Sequence, residues 1–238
     1  TFATFEPQAP EIHEMGRGDW KARIEEVLSS GAIALHQQPV KAIGDSGTIL
    51  HREVLARIVE GESQWWDACR FLPLAEQLDL TARLDRQIVD RVLAAVEGLA
   101  ADTIAINLSP ASLQSAPFLQ WLDGRLAAWS PAGGGRHLVF ELSEFGVAHE
   151  LAELKAFAAR VRGFGHGIAI DHFGRSFADF GYLQSVRPEY VKLDAGYVER
   201  IASDSDDQFY VGSLCSVAHT LDIAVIASAV ETREQWEA

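Results

Sequence analysis

The sequence predicts an α/β fold, a TIM-like (β/α)8 barrel whose first strand runs antiparallel. Short apolar runs recur, each closing on a polar residue: Ile104-Ala105-Ile106-Asn107, Leu138-Val139-Phe140-Glu141, Ile168-Ala169-Ile170-Asp171 and Tyr190-Val191-Lys192-Leu193-Asp194. Such runs suit parallel strands buried on both faces, and polar residues at successive strand ends place the chemistry on the C-terminal rim of a barrel. Helix-length segments separate the runs, which is the βα alternation of a parallel sheet. With 238 residues, 48% of them hydrophobic, the chain is large enough for one barrel and its core.

In chain order, residues 1–31 read as a linker and connecting helix, and 32–238 as the barrel domain. Pro7 and Pro10 mark the linker. Asp19 is placed to cap a helix from Trp20 to about Ser30 with Trp20, Ile24, Val27 and Leu28 on one stripe. Two readings of this helix stand: it packs on its own domain, or it connects to an upstream signalling domain. Ile33–Val40 and Thr48–Arg57 form a hairpin around Gly44-Asp45-Ser46-Gly47. Helices are expected over Trp65–Leu78 and Thr81–Leu99, a strand over Thr103–Ser109 and a helix over Pro110–Trp129. Pro131-Ala132-Gly133-Gly134-Gly135 is a loop without phosphate-loop spacing. A strand at His137–Leu142, a helix at Ala148–Arg162 stopped by Gly163 and Gly165, and the strand Gly167–Asp171 follow. The rest reads as a short helix at Phe177–Leu183, strand Tyr190–Leu193, helix Gln208–Thr220, strand Ile223–Ala227 and a last helix from Thr232. That makes seven barrel strands, with an eighth expected beyond Ala238.

Composition narrows the partners. The net charge of −14 disfavours nucleic acid polymers and anionic lipid, yet leaves room for a small anion held locally by arginines or helix N-termini. No apolar run is long enough to span a bilayer, and the chain opens on Thr1, as expected for a piece of a longer protein. Cys69 and Cys215 are expected as reduced thiols rather than a disulfide.

Glu53, Asn107, Glu141 and Asp171 are hard oxygen donors at four strand ends, suited to Mg²⁺, Mn²⁺ or Ca²⁺ rather than zinc. On spacing alone a metal set and plain helix-capping acids are equally good readings. Lys192, on the next strand, either orients or deprotonates a water or pairs with these acids. His36, His51, His137, His149, His166 and His219 have no metal-ligand spacing and are assigned no role. Trp65 and Trp66 read as core or rim packing.

From Leu35 to Ala238 the chain resembles the EAL domain, the bacterial cyclic di-GMP phosphodiesterase and receptor family. The motifs stand in family order: Gln38-Pro39-Val40, Glu53-Val54-Leu55-Ala56-Arg57, Phe71-Leu72-Pro73-Leu74-Ala75-Glu76, Asn107-Leu108-Ser109-Pro110, Glu141-Leu142-Ser143-Glu144, Asp171-His172-Phe173-Gly174, Lys192-Leu193-Asp194 and Ala227-Ser228-Ala229-Val230-Glu231-Thr232. The resemblance implies that Glu53, Asn107, Glu141 and Asp171 match the first-metal ligands of active members. It implies that Lys192 matches the lysine beside the attacking water, Glu144 the acid steadying a loop over the second metal, and Arg57 the arginine on the ligand phosphate. A guanidinium fork suits two phosphate oxygens.

Two departures bear on activity. Active members carry two adjacent aspartates where this chain has Asp171-His172, and a glutamate where it has Ser228; Ala229 also replaces a glycine. Two-metal hydrolysis needs those carboxylates to hold and neutralise both cations. The resemblance therefore implies a degenerate phosphodiesterase that binds cyclic di-GMP without cleaving it. Gln38, Glu53, Leu55, Arg57, Phe71, Pro73, Asn107, Glu141, Asp171, Asp194 and Ser228 are the expected ligand-binding set. Glu53, Asn107, Glu141 and Asp171 form a vestigial metal set, and Lys192 and Glu144 vestigial catalytic residues. No cofactor is required on this reading, and Mg²⁺ or Mn²⁺ enters only with residual activity. Within the family the resemblance is greatest to LapD-type receptors, which implies a cytoplasmic domain of an inner-membrane receptor, a GGDEF-like domain and signalling helix upstream, a homodimer and control of biofilm adhesion. An interaction scaffold without nucleotide, and a slow phosphodiesterase, are the alternatives.

Overall fold

A computed structural model of the protein describes residues 17–43, 47–59, 65–95, 102–129, 136–147, 150–175 and 180–238. The expected linker, the Gly44–Gly47 turn except its last residue, the Pro131–Gly135 loop and the ends of three expected helices (96–99, 148–149 and 177–179) lie outside the described residues.

Helix α1 (Arg17–Ser30) precedes the hairpin of β1 (Ile33–Lys41) and β2 (Ile49–Val59). These strands pair antiparallel, with Gln38 opposite Glu53. Next come β3 (Trp65–Asp67), α2 (Ala68–Gln77), α3 (Thr81–Ala95), β4 (Thr103–Asn107), α4 (Pro110–Leu113) and α5 (Ala116–Trp129). The second half contains β5 (His137–Ser143), α6 (Glu144–Val147), α7 (Leu151–Arg162), β6 (Gly167–Phe173), α8 (Gly181–Val186), β7 (Tyr190–Leu193), α9 (Ala195–Arg200), α10 (Ser205–Thr220), β8 (Ala224–Ala227) and α11 (Arg233–Glu237). The strands follow the order β1-β2-β4-β5-β6-β7-β8, parallel from β2 onward, with β3 added to β2. This is the predicted barrel-type sheet with its antiparallel first strand.

Alternation along the strands separates two cores. Leu138, Phe140 and Leu142 pack outward with Ile168, Ile170, Phe157 and Leu154 in the main core between sheet and helices. Val139, Ala169 and Tyr190 form a smaller cluster on the other face. Glu141 shares the parity of Val139 and therefore faces the barrel interior, while its neighbours hold the helices.

Several expectations need correction. Trp65–Leu78 is not one helix: Trp65-Trp66-Asp67 pairs with β2, as suits two consecutive aromatics, and the helix starts only after Asp67. Pro110–Trp129 divides in two because Ser115 caps α5: its Oγ accepts the Phe118 N–H at 3.3 Å, and Pro117 sits in the first turn. The turn at Glu144–Val147 and the helix α9, capped by Asp194 through the Gly196 N–H at 3.0 Å, were not expected. Of the helix expected at Phe177–Leu183, the described part is α8, which starts at Gly181 and runs on to Val186.

Helix α1 buries Ile24 and Val27 against the barrel's helices, with Trp20 and Leu28 half-buried beside them. The Trp20 ring lies 4.8 Å from that of Trp66, and the Arg70 guanidinium lies 5.0 Å over Trp66 and 6.0 Å over Trp20. Cys215 is a free, half-buried thiol. Among the described residues no helix is long and apolar enough to cross a membrane.

Candidate functional site: the C-terminal rim cleft

The polar strand ends converge. Parallel register sets Asn107 beside Glu141 and Ser143 beside Asp171. Asn107 Nδ2 donates to Glu53 Oε1 at 2.7 Å. Lys192 Nζ donates to Glu53 Oε2 at 2.8 Å and to Glu141 Oε2 at 2.9 Å, and lies 3.6 Å from Asp171 Oδ2. The Tyr190 hydroxyl donates to Glu141 Oε1 at 2.8 Å, and the His51 ring stacks on Tyr190 at 4.8 Å beneath it. Glu53, Glu141 and Lys192 are all buried.

This packing sets the charges. Burial alone would lower the Lys192 pKa, but Glu141, then Asp171 and Glu53, outweigh it and hold it above the usual lysine range. Burial pushes Glu141 up to about 7, against the pull of Lys192. Burial also works to raise Glu53, yet Lys192 and the Asn107 bond leave it below its ordinary value.

The segment after β6 is fixed in detail. His172 has φ +56°, its N–H donates to Asp171 Oδ1 at 2.8 Å, and its Nδ1 lies 3.1 Å from Asp194 Oδ2. The buried Glu144 accepts the Gly174 N–H at 3.1 Å through Oε2 and the Tyr182 hydroxyl at 2.9 Å through Oε1. The Gly174 carbonyl accepts the hydroxyls of Tyr197 at 3.0 Å and Tyr210 at 2.7 Å. Gly174 has φ +91°, and a Cβ there would stand 2.4 Å from Leu214 Cδ1, so only glycine fits.

Above the polar floor opens a cleft of about 500 Å³ lined by Glu53, Leu55, Phe71, Pro73, Asn107, Glu141, Asp171 and His172, with Asp85, Ser109 and Phe145 on its walls. Leu55, Phe71 and Pro73 thus join the expected polar residues in one cavity. Gln38, Arg57, Asp194 and Ser228 are not among the residues lining it. Arg57 Nε instead meets Asp67 Oδ1 at 2.5 Å, which occupies the carboxylate that would otherwise cap α2. Ser228 Oγ is buried without a hydrogen-bond partner among the described residues, next to Ala229 at φ +56°.

The donor set does not fit a two-metal centre. The Lys192 ammonium stands where Glu53, Glu141 and Asp171 converge, and the neighbouring polar positions offer an imidazole tied to Asp194 and a serine hydroxyl rather than carboxylates. Among the described residues no group of three or more His, Cys, Asp and Glu side chains is set to hold a metal ion.

Asp85 and Phe145 are among the lining residues that escaped the sequence reading. Asp85 is buried, and its Oδ2 accepts the Ser109 N–H at 2.9 Å and the Ser112 hydroxyl at 2.6 Å, so it fixes the turn after Asn107. Burial pushes its pKa up to about 6, against those two bonds. The signal was present: Asp85 shares the α3 stripe of Ile88, Val89 and Val92, where a carboxylate is anomalous. Phe145 is 70% exposed, and a lone aromatic after Glu144 gives no sequence signal.

Comparisons with known proteins agree with this geometry. The sequence profile of the EAL domain matches residues 21–238. The RNase E specificity factor CsrD of Escherichia coli is 27% identical over 228 residues, covering 95% of this chain and 35% of that protein. The cyclic di-GMP phosphodiesterase PdeB of Shewanella oneidensis is 27% identical over 228 residues, covering 90% of this chain and 25% of that protein. The chain thus spans about a third or less of these two relatives. The solved Vibrio cholerae LapD S helix-GGDEF-EAL bound to c-di-GMP superposes with a TM-score of 0.86 at 29% identity, over 96% of this chain and 55% of that one. With a matched profile over nearly its whole length and the barrel to go with it, the chain belongs to the EAL domain family.

Proposed function

We propose that this EAL domain is a cyclic di-GMP receptor that holds the dinucleotide without hydrolysing it. The observation that carries this reading is that His172 and Ser228 stand where the resemblance places second-metal carboxylates in active members. Lys192, which the resemblance gives to active members as well, pairs with Glu53 and Glu141 and does not itself separate receptor from enzyme. The cleft keeps an apolar wall in Leu55, Phe71 and Pro73, and Arg57 stands next to it in sequence for a phosphate. The likeness to LapD S helix-GGDEF-EAL bound to c-di-GMP supports the same ligand and a place downstream of a helix and a GGDEF domain; the further reading, a cytoplasmic domain of a membrane receptor controlling biofilm adhesion, rests on the resemblance to LapD-type receptors alone. On this reading Gln38, Asp194 and Ser228 serve the ligand from the margin of the cleft, the receptor acts as a homodimer, and no metal or other cofactor is needed.

Isothermal titration with cyclic di-GMP, in EDTA and then in Ca²⁺, tests the reading, with the nucleotide recovered afterwards and chromatographed. Binding retained in EDTA with intact ligand is the expected result. Binding that needs metal, or linear product, overturns it in favour of a second reading, a slow metal-dependent phosphodiesterase. The retention of Glu53, Asn107, Glu141, Asp171 and Lys192 together favours that alternative. No binding in either buffer leaves an interaction scaffold.

A further inference from the structure

We infer that Phe145 is a stacking platform for one purine base of the bound dinucleotide; this rests on the receptor reading above. Phe145 sits on the rim, in the four-residue turn α6, and lines the cleft while 70% exposed. Its neighbours explain why it is there and why it stays. Glu144 and Val147 face inward and are buried. Glu144 is fastened by the Gly174 N–H and the Tyr182 hydroxyl. Gly146 is pressed on α4, where a Cβ would stand 2.2 Å from Pro110 Cγ. The backbone on both sides of Phe145 is therefore immobilised, and its side chain is the one of the turn left to the cleft. Among the described residues no other aromatic ring lies against it.

An uncovered aromatic ring costs the free protein, and it stands here on a pre-set backbone beside a cavity too polar at its floor for an apolar ligand. A flat π-face that must leave water is the natural complement: a nucleobase offers one without needing any polar partner from Phe145. The polar floor serves the phosphates and sugar hydroxyls, and the apolar wall of Leu55, Phe71 and Pro73 lies elsewhere on the same cleft. Because the platform is fixed beforehand, little ordering is lost on binding.

The test is titration of cyclic di-GMP into the wild-type domain and into Phe145→Ala, Phe145→Leu and Phe145→Trp, with thermal unfolding of each. Alanine and leucine variants are expected to raise Kd by roughly ten- to a hundredfold, the range for loss of one base stack. The tryptophan variant is expected to stay close to wild type, and all three to unfold near the wild-type temperature because the ring is exposed. Leucine retaining full affinity would show that only apolar area matters and overturn the stacking assignment. So would alanine binding as tightly as wild type, and that outcome leaves the receptor reading intact. Absence of binding by wild type overturns both.

Discussion

Lys192 Nζ lies 2.8 Å from Glu53 Oε2 and 2.9 Å from Glu141 Oε2, a buried cation held between carboxylates that come from strands far apart in sequence. Removing it strands two buried acids. Lys192→Met is expected to cost about 3–5 kcal/mol, the usual penalty for breaking a buried pair from one side. Urea unfolding measures this directly. A loss under 1 kcal/mol would mean that water already reaches these carboxylates.

Asp85 makes stability depend on acidity. Its folded pKa of about 6 lies above the ordinary aspartate value, so between pH 4 and 6 the unfolded chain releases the proton while the folded chain keeps it. Its contribution is therefore greatest below pH 4 and declines as pH rises to about 6, by roughly 2–3 kcal/mol at about 1.4 kcal/mol per pH unit. Both bonds to Asp85 fall on Oδ2, which leaves Oδ1 to carry the proton. Asp85→Asn should flatten the stability profile over that window relative to wild type. An unchanged slope would remove Asp85 as its source.

Arg57 is held by Asp67 at 2.5 Å, and a phosphate must compete with that carboxylate. Because Asp67 is about half-exposed, the pair is worth no more than about 1 kcal/mol. Asp67→Asn should tighten cyclic di-GMP binding about two- to fivefold. Arg57→Ala should weaken it by about 1.5–3 kcal/mol, the value of a charge-assisted bond. Equal affinities in all three proteins would take Arg57 off the ligand.

Ala229 holds φ +56°, a conformation that costs an L-residue roughly 1–2 kcal/mol. Ala229→Gly relieves the strain but frees the unfolded chain, so the net expectation is a gain of up to about 1 kcal/mol. Differential scanning calorimetry should show an unchanged or higher Tm. A clear fall would mean that the methyl packs productively.

Placing carboxylates at the two departures tests whether those positions account for the proposed lack of hydrolysis. The triple variant His172→Asp, Ser228→Glu, Ala229→Gly should gain Mn²⁺-dependent release of linear dinucleotide, whereas each single variant should not. A wild-type protein that is as active as the triple would show that these positions do not limit catalysis.

The rim was legible in the sequence because parallel strands advertise themselves: an apolar run with an acid or amide at its end leaves little freedom for Asn107, Glu141 or Asp171. The motifs around them located Glu53 and Lys192 as well. The sequence leaves two roles for Lys192, serving a water or pairing with these acids, since only the folded register brings β7 within reach of β2 across the barrel. Tertiary pairing also overrode local propensity at Trp65-Trp66-Asp67, where a free edge on β2 captured residues that read as helix. Phe145 and Arg57 show the same limit from another side. What each side chain touches depends on Gly146 meeting Pro110 and on β3 carrying Asp67 to Arg57, neither of which is written in spacing.

Helix α2 presents Phe71 and Pro73 to the cleft, while Arg70 on the same helix lies over the rings of Trp20 and Trp66. One short helix therefore touches both the wall of the cleft and the first helix of the domain. The wall of the cleft and the Trp20–Trp66 contact thus share one helix, and the two tryptophans stand at its Arg70.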